Sequence, residues 1–303
     1  MSAAATPKPA ESVPVGVALG VLAYGLFSIH DAAIKWLVAD LPIWQVLFMR
    51  SFVIVTGCVL VGRSRLLARA RATPLKRALA LRGAITLAAW LCYYTASRSL
   101  PLGQLTSLYF AAPLIVTLMA APLLGERVTR NRWASVMLGF VGVLVAANPR
   151  GMSASLPALL VLIAATLWGY GIVLLRQIAR MESSLLQMFY VNGLFTVATG
   201  VGMALTWRTP PLASVALAGV TAVLGGLGQY TLFEAIRHAP ASVMSTVEYT
   251  ALLWAFALGF VIWGDVPVLG VWIGAALIAA AGCLLVLTER RRAGHSARVV
   301  ELP

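Results

Sequence analysis

Charged side chains are scarce in this chain. Asp, Glu, Lys and Arg make up only 11% of the 303 residues, whereas they make up about 25% of an ordinary soluble domain. Hydrophobic residues reach 60%, and the mean hydropathy is +0.89. A water-soluble globule of this size has too little interior to bury so much apolar surface. The composition therefore excludes an ordinary soluble protein and predicts that a lipid bilayer surrounds most of the chain.

Cysteine and histidine are equally rare, with three residues of each kind. Cys58, Cys92 and Cys283 lie far apart in apolar runs and have no CxxC spacing, so neither a disulfide framework nor a zinc site is expected. The histidines occupy separate depths or the tail, at positions 30, 238 and 295. A membrane enzyme would need a metal cluster or a nucleophile with its base. We therefore expect no enzymatic activity, no metal and no cofactor.

Long apolar runs are abundant. A helix that spans a bilayer needs about 20 predominantly apolar residues, and ten segments meet this requirement. They are 14–38, 43–61, 78–97, 102–124, 131–147, 156–178, 185–207, 212–236, 242–263 and 267–288. Residues 1–13 are polar and lack an apolar core with a cleavage site, so we interpret them as a flexible tail and not a signal peptide. The pattern predicts an all-α integral membrane protein with ten transmembrane helices.

Lysine and arginine are unevenly distributed among the breaks between these segments. One alternating set of loops and tails, which includes loop 62–77 and the basic tail 289–303, holds 17 of them. The other set holds three: Arg98, Arg150 and Arg208. Because cytoplasmic loops carry the excess of Lys and Arg, both termini are predicted to be cytoplasmic. The net charge of +13 then reflects membrane topology, and no nucleic-acid partner is expected.

The second half of the chain repeats the first. A shift of 139 positions aligns several residues that lie at turns and near the ends of predicted spans in the two halves. The matched pairs are Arg98 with Arg237, Pro101 with Pro240, Gly125 with Gly264, Glu126 with Asp265, and Trp133 with Trp272. Each half, 14–147 and 156–288, contains five predicted spans, and an odd number forces the second half to enter from the opposite side. The sequence thus predicts a 5+5 inverted-topology repeat, an architecture of many secondary transporters.

Residues 99–149 read SLPLGQLTSLYFAAPLIVTLMAAPLLGERVTRNRWASVMLGFVGVLVAANP. This stretch resembles the end of an EamA domain of the drug/metabolite transporter superfamily, with a Leu-Pro helix start, a proline within the helix, a Gly-Glu-Arg turn and a glycine-rich last helix. Residues 238–287, HAPASVMSTVEYTALLWAFALGFVIWGDVPVLGVWIGAALIAAAGCLLVL, are similar to a second copy. Here the turn reads Gly264-Asp265-Val266 and lacks the arginine.

The resemblance extends over about residues 14–288 and implies ten helices and alternating access without ATP. It favours export of small metabolites across the inner membrane, with amino acids as the first expectation. An importer of vitamins such as riboflavin or of another metabolite, and a passive facilitator or channel, remain open alternatives. The expected partners are a small-molecule substrate and the lipid bilayer, and the pattern is compatible with a monomer.

Titratable residues in the first two spans are the candidates for gating or coupling. Span 14–38 contains His30, Asp31 and Lys35, and the next span contains Arg50. A charge at the bilayer centre costs about 2.5–3.5 kcal/mol on insertion scales. Asp31 and Arg50 each lie about 10 Å below the outer end of their span, so we expect them to pair while Lys35 reaches outward. Direct contact of Asp31 with substrate or a coupling proton stays open, and His30 points to another side.

Glu248 is the other costly acid, about 10 Å from the cytoplasmic end of span 242–263. No basic residue lies within one helical turn of it in the sequence, so we expect it to bind a substrate amine or a coupling proton. A neutral Glu248 that is hydrogen-bonded inside the bundle is the open alternative. Aromatic and amide side chains that lie deep in other spans could form apolar walls with a hydrogen-bonding tip. These further candidates for substrate binding are Tyr93, Tyr94, Tyr109, Trp168, Tyr170, Gln229 and Tyr230.

Overall fold

The structure is a computed structural model that describes residues 12–97, 99–100, 108–147, 155–264 and 269–300. All the helices and strands that it assigns in these ranges are α-helices, eleven in number. In chain order they are α1 Val13–Asp40, α2 Ile43–Ala72, α3 Lys76–Ser97, α4 Ala112–Leu124, α5 Arg130–Ala147, α6 Leu156–Ala179, α7 Ser184–Thr206, α8 Leu212–His238, α9 Ala241–Glu248, α10 Thr250–Trp263 and α11 Leu269–Val300.

Seven helical segments of the described chain are long and apolar enough to cross a bilayer. They are Val13–Ile34, Ile43–Ala72, Leu156–Ala179, Ser184–Thr206, Leu212–His238, Ala241–Ile262 and Leu269–Thr288. Helices α3 and α5, with 22 and 18 residues, begin with basic residues. Helix α4 has 13 residues, and the beginning of its predicted span, 102–107, lies outside the described residues. The protein is therefore a helical multi-pass membrane protein, while the full count of ten spans stays a prediction.

Several helices extend beyond the predicted spans. Helix α2 continues through Ala72, past a non-helical Arg63 (φ 48°, ψ −147°), although the sequence suggested a loop from residue 62. Helix α11 continues through Val300, into the segment that we interpreted as a tail. These extensions carry basic residues that good helix propensity allows to stay helical in water. Hydropathy marks where the bilayer ends and does not mark where the helix ends.

The repeat is visible in the backbone at two glycines. Gly125 ends α4 with φ 66°, and Gly264, its match in the second half, ends α10 with φ 72°. Only these two glycines have positive φ among the described residues. This left-handed conformation has little steric cost for glycine and is a common way to end a helix. The sequence match at an offset of 139 thus coincides with the same turn geometry.

The helices pair across the two halves. Helix α1 packs mainly against α8. Their counterparts in the other half are α6 and α3, and these two helices also pack against each other. The pairs α2 with α7 and α5 with α11 each join a helix to its own counterpart. This exchange is the pattern that a pseudo-twofold relation between the halves predicts. The candidate site residues described below lie mainly on α1, α3, α6 and the α9–α10 segment.

Candidate substrate-binding site

The ninth predicted span is not one continuous helix. Helix α9 ends at Glu248, α10 begins at Thr250, and Tyr249 lies between them. In the first half, the residues that match Glu248 and Tyr249 at the offset of 139 are Tyr109 and Phe110, which directly precede the turn into α4. Both halves therefore interrupt the helix at the same repeat position. Interrupted helices of this kind form the substrate sites of many inverted-repeat transporters.

Aromatic rings pack where the two interruptions meet. The ring centroids of Phe110 and Tyr249 are 5.9 Å apart, and those of Tyr109 and Phe110 are 6.4 Å apart. Tyr93 of α3 packs edge-on against Tyr109 with centroids 4.9 Å apart. The structure thus brings together Tyr93 and Tyr109, two of the predicted site residues, with Phe110 and Tyr249, which the sequence did not single out. We refer to Tyr93, Tyr109, Phe110 and Tyr249 as the aromatic layer.

Glu248 lies beside this layer, with only 5% of its surface exposed. Its Oε1 accepts a hydrogen bond of 2.9 Å from the indole Nε1–H of Trp168 on α6. The contact joins two predicted site residues on different helices of the second repeat, α6 and α9. Sequence spacing could not identify this partner, because Trp168 is 80 positions away. A buried carboxylate with a neutral donor retains acceptor capacity for a second partner.

The titratable residues near the other end of the bundle face different directions. The Nδ1–H of His30 donates to the carbonyl oxygen of Thr221 on α8 at 2.8 Å, so the buried His30 joins α1 to α8. The side chain of Asp31 is 74% exposed, and its Oδ1 lies 4.0 Å from His30 Nε2. Asp31 is also within electrostatic range of Arg50 and Tyr93. The side chain of Asp31 is thus accessible, and its role in gating or coupling stays a prediction.

Arg50 is buried on α2 and lies over the ring of Trp90, with its guanidinium carbon 5.2 Å from the ring centroid. A Cβ added at Gly225 would lie 3.0 Å from both Arg50 Nε and His30 Nδ1. The glycine therefore lets α8 approach the side chains of Arg50 and His30 closely. The geometry places Asp31 and Arg50 in one neighbourhood, and whether they act as a gating pair stays a prediction.

Arg82 is a buried cation that the sequence interpretation overlooked. It lies on α3, and only 4% of its surface is exposed. Its Nε–H points at the carbonyl oxygen of Gly171 at 3.4 Å, and its guanidinium carbon lies 4.4 Å from the ring centroid of Phe233. A signal was available in the sequence: after assignment of the loop residues, only Lys35, Arg50 and Arg82 remain as basic residues inside predicted spans.

The remaining predicted residues lie elsewhere. Gln229 on α8 accepts a hydrogen bond of 2.8 Å from Asn192 Nδ2 on α7. Tyr170 is partly buried on α6, and Tyr230 is 44% exposed on α8. The side chains of Lys35 and Tyr94 lie outside the described part of the structure. Gln229 and Tyr230 therefore belong to the α7–α8 side and not to the aromatic layer.

One end of the bundle is closed by the hydrogen bonds described next. It carries residues 62–77, 125–130, 179–184 and 237–241, and we call it the basic end. Arg69 donates from Nε and Nη2 to the two carboxylate oxygens of Glu182 at 3.0 and 2.9 Å. Thr73 Oγ1 donates to the same carboxylate, which is almost fully buried. Arg237 Nη1 donates to the carbonyl oxygens of Ala179 and Glu182 at 3.0 and 2.9 Å.

Glu126 of the Gly-Glu-Arg turn adds a second link at the basic end. Its Oε1 accepts the backbone N–H of Ala241, and its Oε2 accepts both the N–H and the hydroxyl of Ser242, at 2.8–3.2 Å. The first N–H groups of a helix have no partner within that helix, so Glu126 caps α9 from the other half of the chain. This motif residue therefore fastens the interrupted span to the α4–α5 turn.

Comparisons with known proteins agree with this architecture. The sequence pattern of the EamA-like transporter family matches residues 14–148 and 155–288. A solved crystal structure superposes with a TM-score of 0.75 at 19% identity, over 93% of this chain and 99% of that chain. At this identity the likeness shows the fold, and the fold is the two-repeat arrangement described above.

Three relatives are named for the small molecules that they transport. The pseudopaline exporter of Pseudomonas aeruginosa is 28% identical over 278 residues, 90% of this chain and 93% of that protein. A riboflavin transporter of Rhizobium johnstonii is 28% identical over 195 residues, 64% of this chain and 65% of that protein. The S-adenosylmethionine uptake transporter of Rickettsia prowazekii is 25% identical over 284 residues, 91% of this chain and 94% of that protein.

Both matched repeats together cover nearly the whole chain, and the relatives are metabolite transporters. The apolar helices make it a multi-pass protein of the bacterial inner membrane. The chain is therefore a metabolite transporter that belongs to the EamA-like transporter family.

Proposed function

We propose that this protein exports amino acids or closely related compounds across the cytoplasmic membrane by alternating access. The observation that carries the proposal is the meeting of two helix interruptions at matched repeat positions, with the Phe110–Tyr249 contact between them. Glu248 lies at one interruption and can accept a hydrogen bond from a substrate ammonium group. The aromatic layer supplies apolar walls that suit an organic side chain.

The distribution of contacts supports a carrier that is closed at one end. At the basic end, Glu182 and Glu126 join the two halves through buried hydrogen bonds. Asp31, near the opposite end, has a largely exposed side chain. An alternating-access cycle would break the links at the basic end and close the space around Asp31. In the proposed topology, with ten spans and both termini cytoplasmic, the present conformation opens away from the cytoplasm.

Two alternatives have support of their own. A riboflavin-type importer is favoured by the aromatic layer, because flat rings stack on aromatic side chains, and by the relatives of that name. A passive facilitator would also move small molecules, although the closed basic end disfavours an open pore. Direction of transport and substrate are therefore the two properties that the experiment must separate.

The test is counterflow in proteoliposomes that contain the purified full-length chain. Vesicles are loaded with one unlabelled compound, and uptake of the same labelled compound is followed for individual L-amino acids, S-adenosyl-L-methionine and riboflavin. We expect transient accumulation of an amino acid that requires internal loading, since a carrier exchanges its substrate. Uptake without a loading requirement indicates a pore, and counterflow of riboflavin alone overturns the amino-acid assignment. Protein-free vesicles loaded in the same way are the control.

A further inference from the structure

We propose that Arg82 and Glu248 form a two-point subsite for a zwitterion whose side chain is apolar. Arg82 binds the carboxylate of the substrate and Glu248 binds its ammonium group. The inference rests on the proposed transport function and adds to it the two residues that recognise the opposite charges.

The surroundings of Arg82 differ from those of a structural buried arginine. Its Nη1 lies buried with no hydrogen-bond acceptor among the described residues, and its bond to Gly171 is long at 3.4 Å. Arg176, buried to a similar degree on α6, donates instead to the carbonyl oxygens of Ile236 and Arg237. A buried guanidinium is stable only when its N–H groups are satisfied. The buried Nη1 of Arg82, which has no acceptor among the described residues, therefore fits an anionic ligand that completes the site.

Helix α6 brings Arg82 and Glu248 together. Arg82 contacts the carbonyl oxygen of Gly171, and Glu248 contacts the indole of Trp168. Trp168 and Gly171 are three positions apart on one helix, which is about 4.5 Å along its axis, and residues at this spacing are neighbours on a helix surface. Arg82 and Glu248 therefore each contact α6, at positions about one turn apart.

Their depths in the bundle agree. Arg82 lies six residues after the start of α3 at Lys76, and Glu248 lies seven residues after the start of α9 at Ala241. Both helices begin at the basic end, so both charges lie about 10 Å from that end at a rise of 1.5 Å per residue. An α-amino acid can contact both groups at this level while its side chain extends towards the aromatic layer.

A comparable pair of charges lies towards the other end. Arg50 contacts Trp90 on α3 and faces Gly225 on α8. Arg82 lies eight residues before Trp90 on α3, and its contact Phe233 lies eight residues after Gly225 on α8. Both helices give a separation of about 12 Å along their axes. Asp31 is within electrostatic range of Arg50. Each of the two levels of the bundle thus has one guanidinium and one carboxylate, which suits a zwitterion that passes from one level to the other.

The experiment measures binding to the full-length purified protein with three probes that differ only in charge. L-phenylalanine carries both charges, L-phenylalaninamide lacks the carboxylate, and 3-phenylpropionate lacks the amine. Half-saturating concentrations are determined from thermal stabilisation. We expect the wild-type protein to bind L-phenylalanine at least about tenfold more tightly than either analogue, because each lost ionic hydrogen bond weakens binding by this order.

Two substitutions assign the charges. Arg82→Gln should weaken binding of L-phenylalanine at least about tenfold and remove its advantage over the amide. Glu248→Gln should remove its advantage over 3-phenylpropionate instead. Arg82→Lys retains the positive charge and should restore the preference for the zwitterion that Arg82→Gln removes, and Glu248→Gln keeps the test valid if Arg82→Gln does not fold. The control is Arg176→Gln, which should lower stability without changing the ratios among the probes.

The outcomes separate the subsite from the transport function. Equal binding of the three probes by the wild-type protein overturns the subsite. Probe ratios that do not change in Arg82→Gln or, if that variant does not fold, in Glu248→Gln overturn it as well. Counterflow of riboflavin without binding of L-phenylalanine overturns it as well and leaves transport intact. Binding of L-phenylalanine that depends on Arg82, without counterflow of any tested compound, establishes the subsite and refutes the proposed transport.

Discussion

The ring of Phe110 packs against the ring of Tyr249, with centroids 5.9 Å apart and planes inclined by 31°. The two residues are 139 positions apart and occupy the same position in the two repeats. A residue that contacts its own counterpart lies close to the pseudo-twofold axis. Since both residues also lie at helix interruptions, the axis passes through the part of the bundle where the backbone is least regular. Substitutions here test the packing at the centre of the transporter.

Tyr249 should tolerate loss of its hydroxyl and should not tolerate loss of its ring. The side chain is fully buried, and its hydroxyl has no hydrogen-bond partner within the described chain. Removal of an unsatisfied buried hydroxyl is favourable, so Tyr249→Phe should raise the free energy of unfolding by about 1 kcal/mol. Tyr249→Ala should lower it by about 3–5 kcal/mol. Unfolding by SDS in mixed micelles measures both, and a destabilised Tyr249→Phe would show that the hydroxyl is bonded.

Gly274 and Gly282, both on α11, should respond differently to alanine. A Cβ at Gly274 would lie 2.5 Å from the carbonyl oxygen of Gly142, which is backbone and cannot rotate away. A Cβ at Gly282 meets no atom within 4 Å. Overpacking costs about 1–3 kcal/mol, so Gly274→Ala should destabilise by that amount, whereas Gly282→Ala should stabilise slightly through helix propensity. Equal effects in the same SDS titration would contradict the close contact of α5 and α11.

Glu126 should contribute to stability through the first turn of α9. Glu126→Ala removes the acceptor of two backbone N–H groups and one hydroxyl, all from Ala241 and Ser242. We expect a loss of about 2 kcal/mol, as for a removed helix cap. Glu234→Gln is the control, because Glu234 forms a partly exposed pair with Arg237 at 3.5 Å, and such pairs contribute about 0–1 kcal/mol. A melting temperature unchanged by Glu126→Ala would refute the cap.

Glu182 should keep the basic end closed. Glu182→Gln replaces a carboxylate that accepts from Arg69 and Thr73 with an amide that can accept at only one oxygen. The buried Leu66, replaced by cysteine in a background without the native cysteines, reports access to this end. Its rate of modification by N-ethylmaleimide should rise at least about fivefold, which corresponds to about 1 kcal/mol. An unchanged rate would show that the links do not limit opening.

The orientation in the membrane can be tested at two exposed positions. Arg65 lies at the basic end and Arg208 at the opposite end, and both are exposed. With cysteine at one position in a cysteine-free background, a membrane-impermeant maleimide applied to intact cells should label position 208 and not position 65. The reason is that basic loops remain in the cytoplasm. Labelling of position 65 alone would invert the proposed topology.

The helical architecture could be predicted closely from the sequence. Helix α8 was expected at 212–236 and is observed at Leu212–His238, and α7 was expected at 185–207 and is observed at Ser184–Thr206. Apolar length and breaks with proline, glycine or charge decide these boundaries, because a backbone in lipid must satisfy its hydrogen bonds within the segment. The interruption of span 242–263 at Tyr249 was not predicted, since its residues are apolar on both sides of the break.

The candidate site shows the same difference between features that the sequence predicts and features that it does not. Glu248 and Asp31 could be selected as candidate site residues from the sequence, because a charge in an apolar run is costly wherever it lies. The sequence likewise determined that this protein crosses a membrane and that its halves are related, because both depend on composition and on order along the chain. Only the tertiary structure decided that Trp168 contacts Glu248 and that Arg82 of α3 contacts Gly171, about one turn from Trp168 on α6. These contacts join helices that are distant in the chain, and local periodicity contains no information about which helices will pack together.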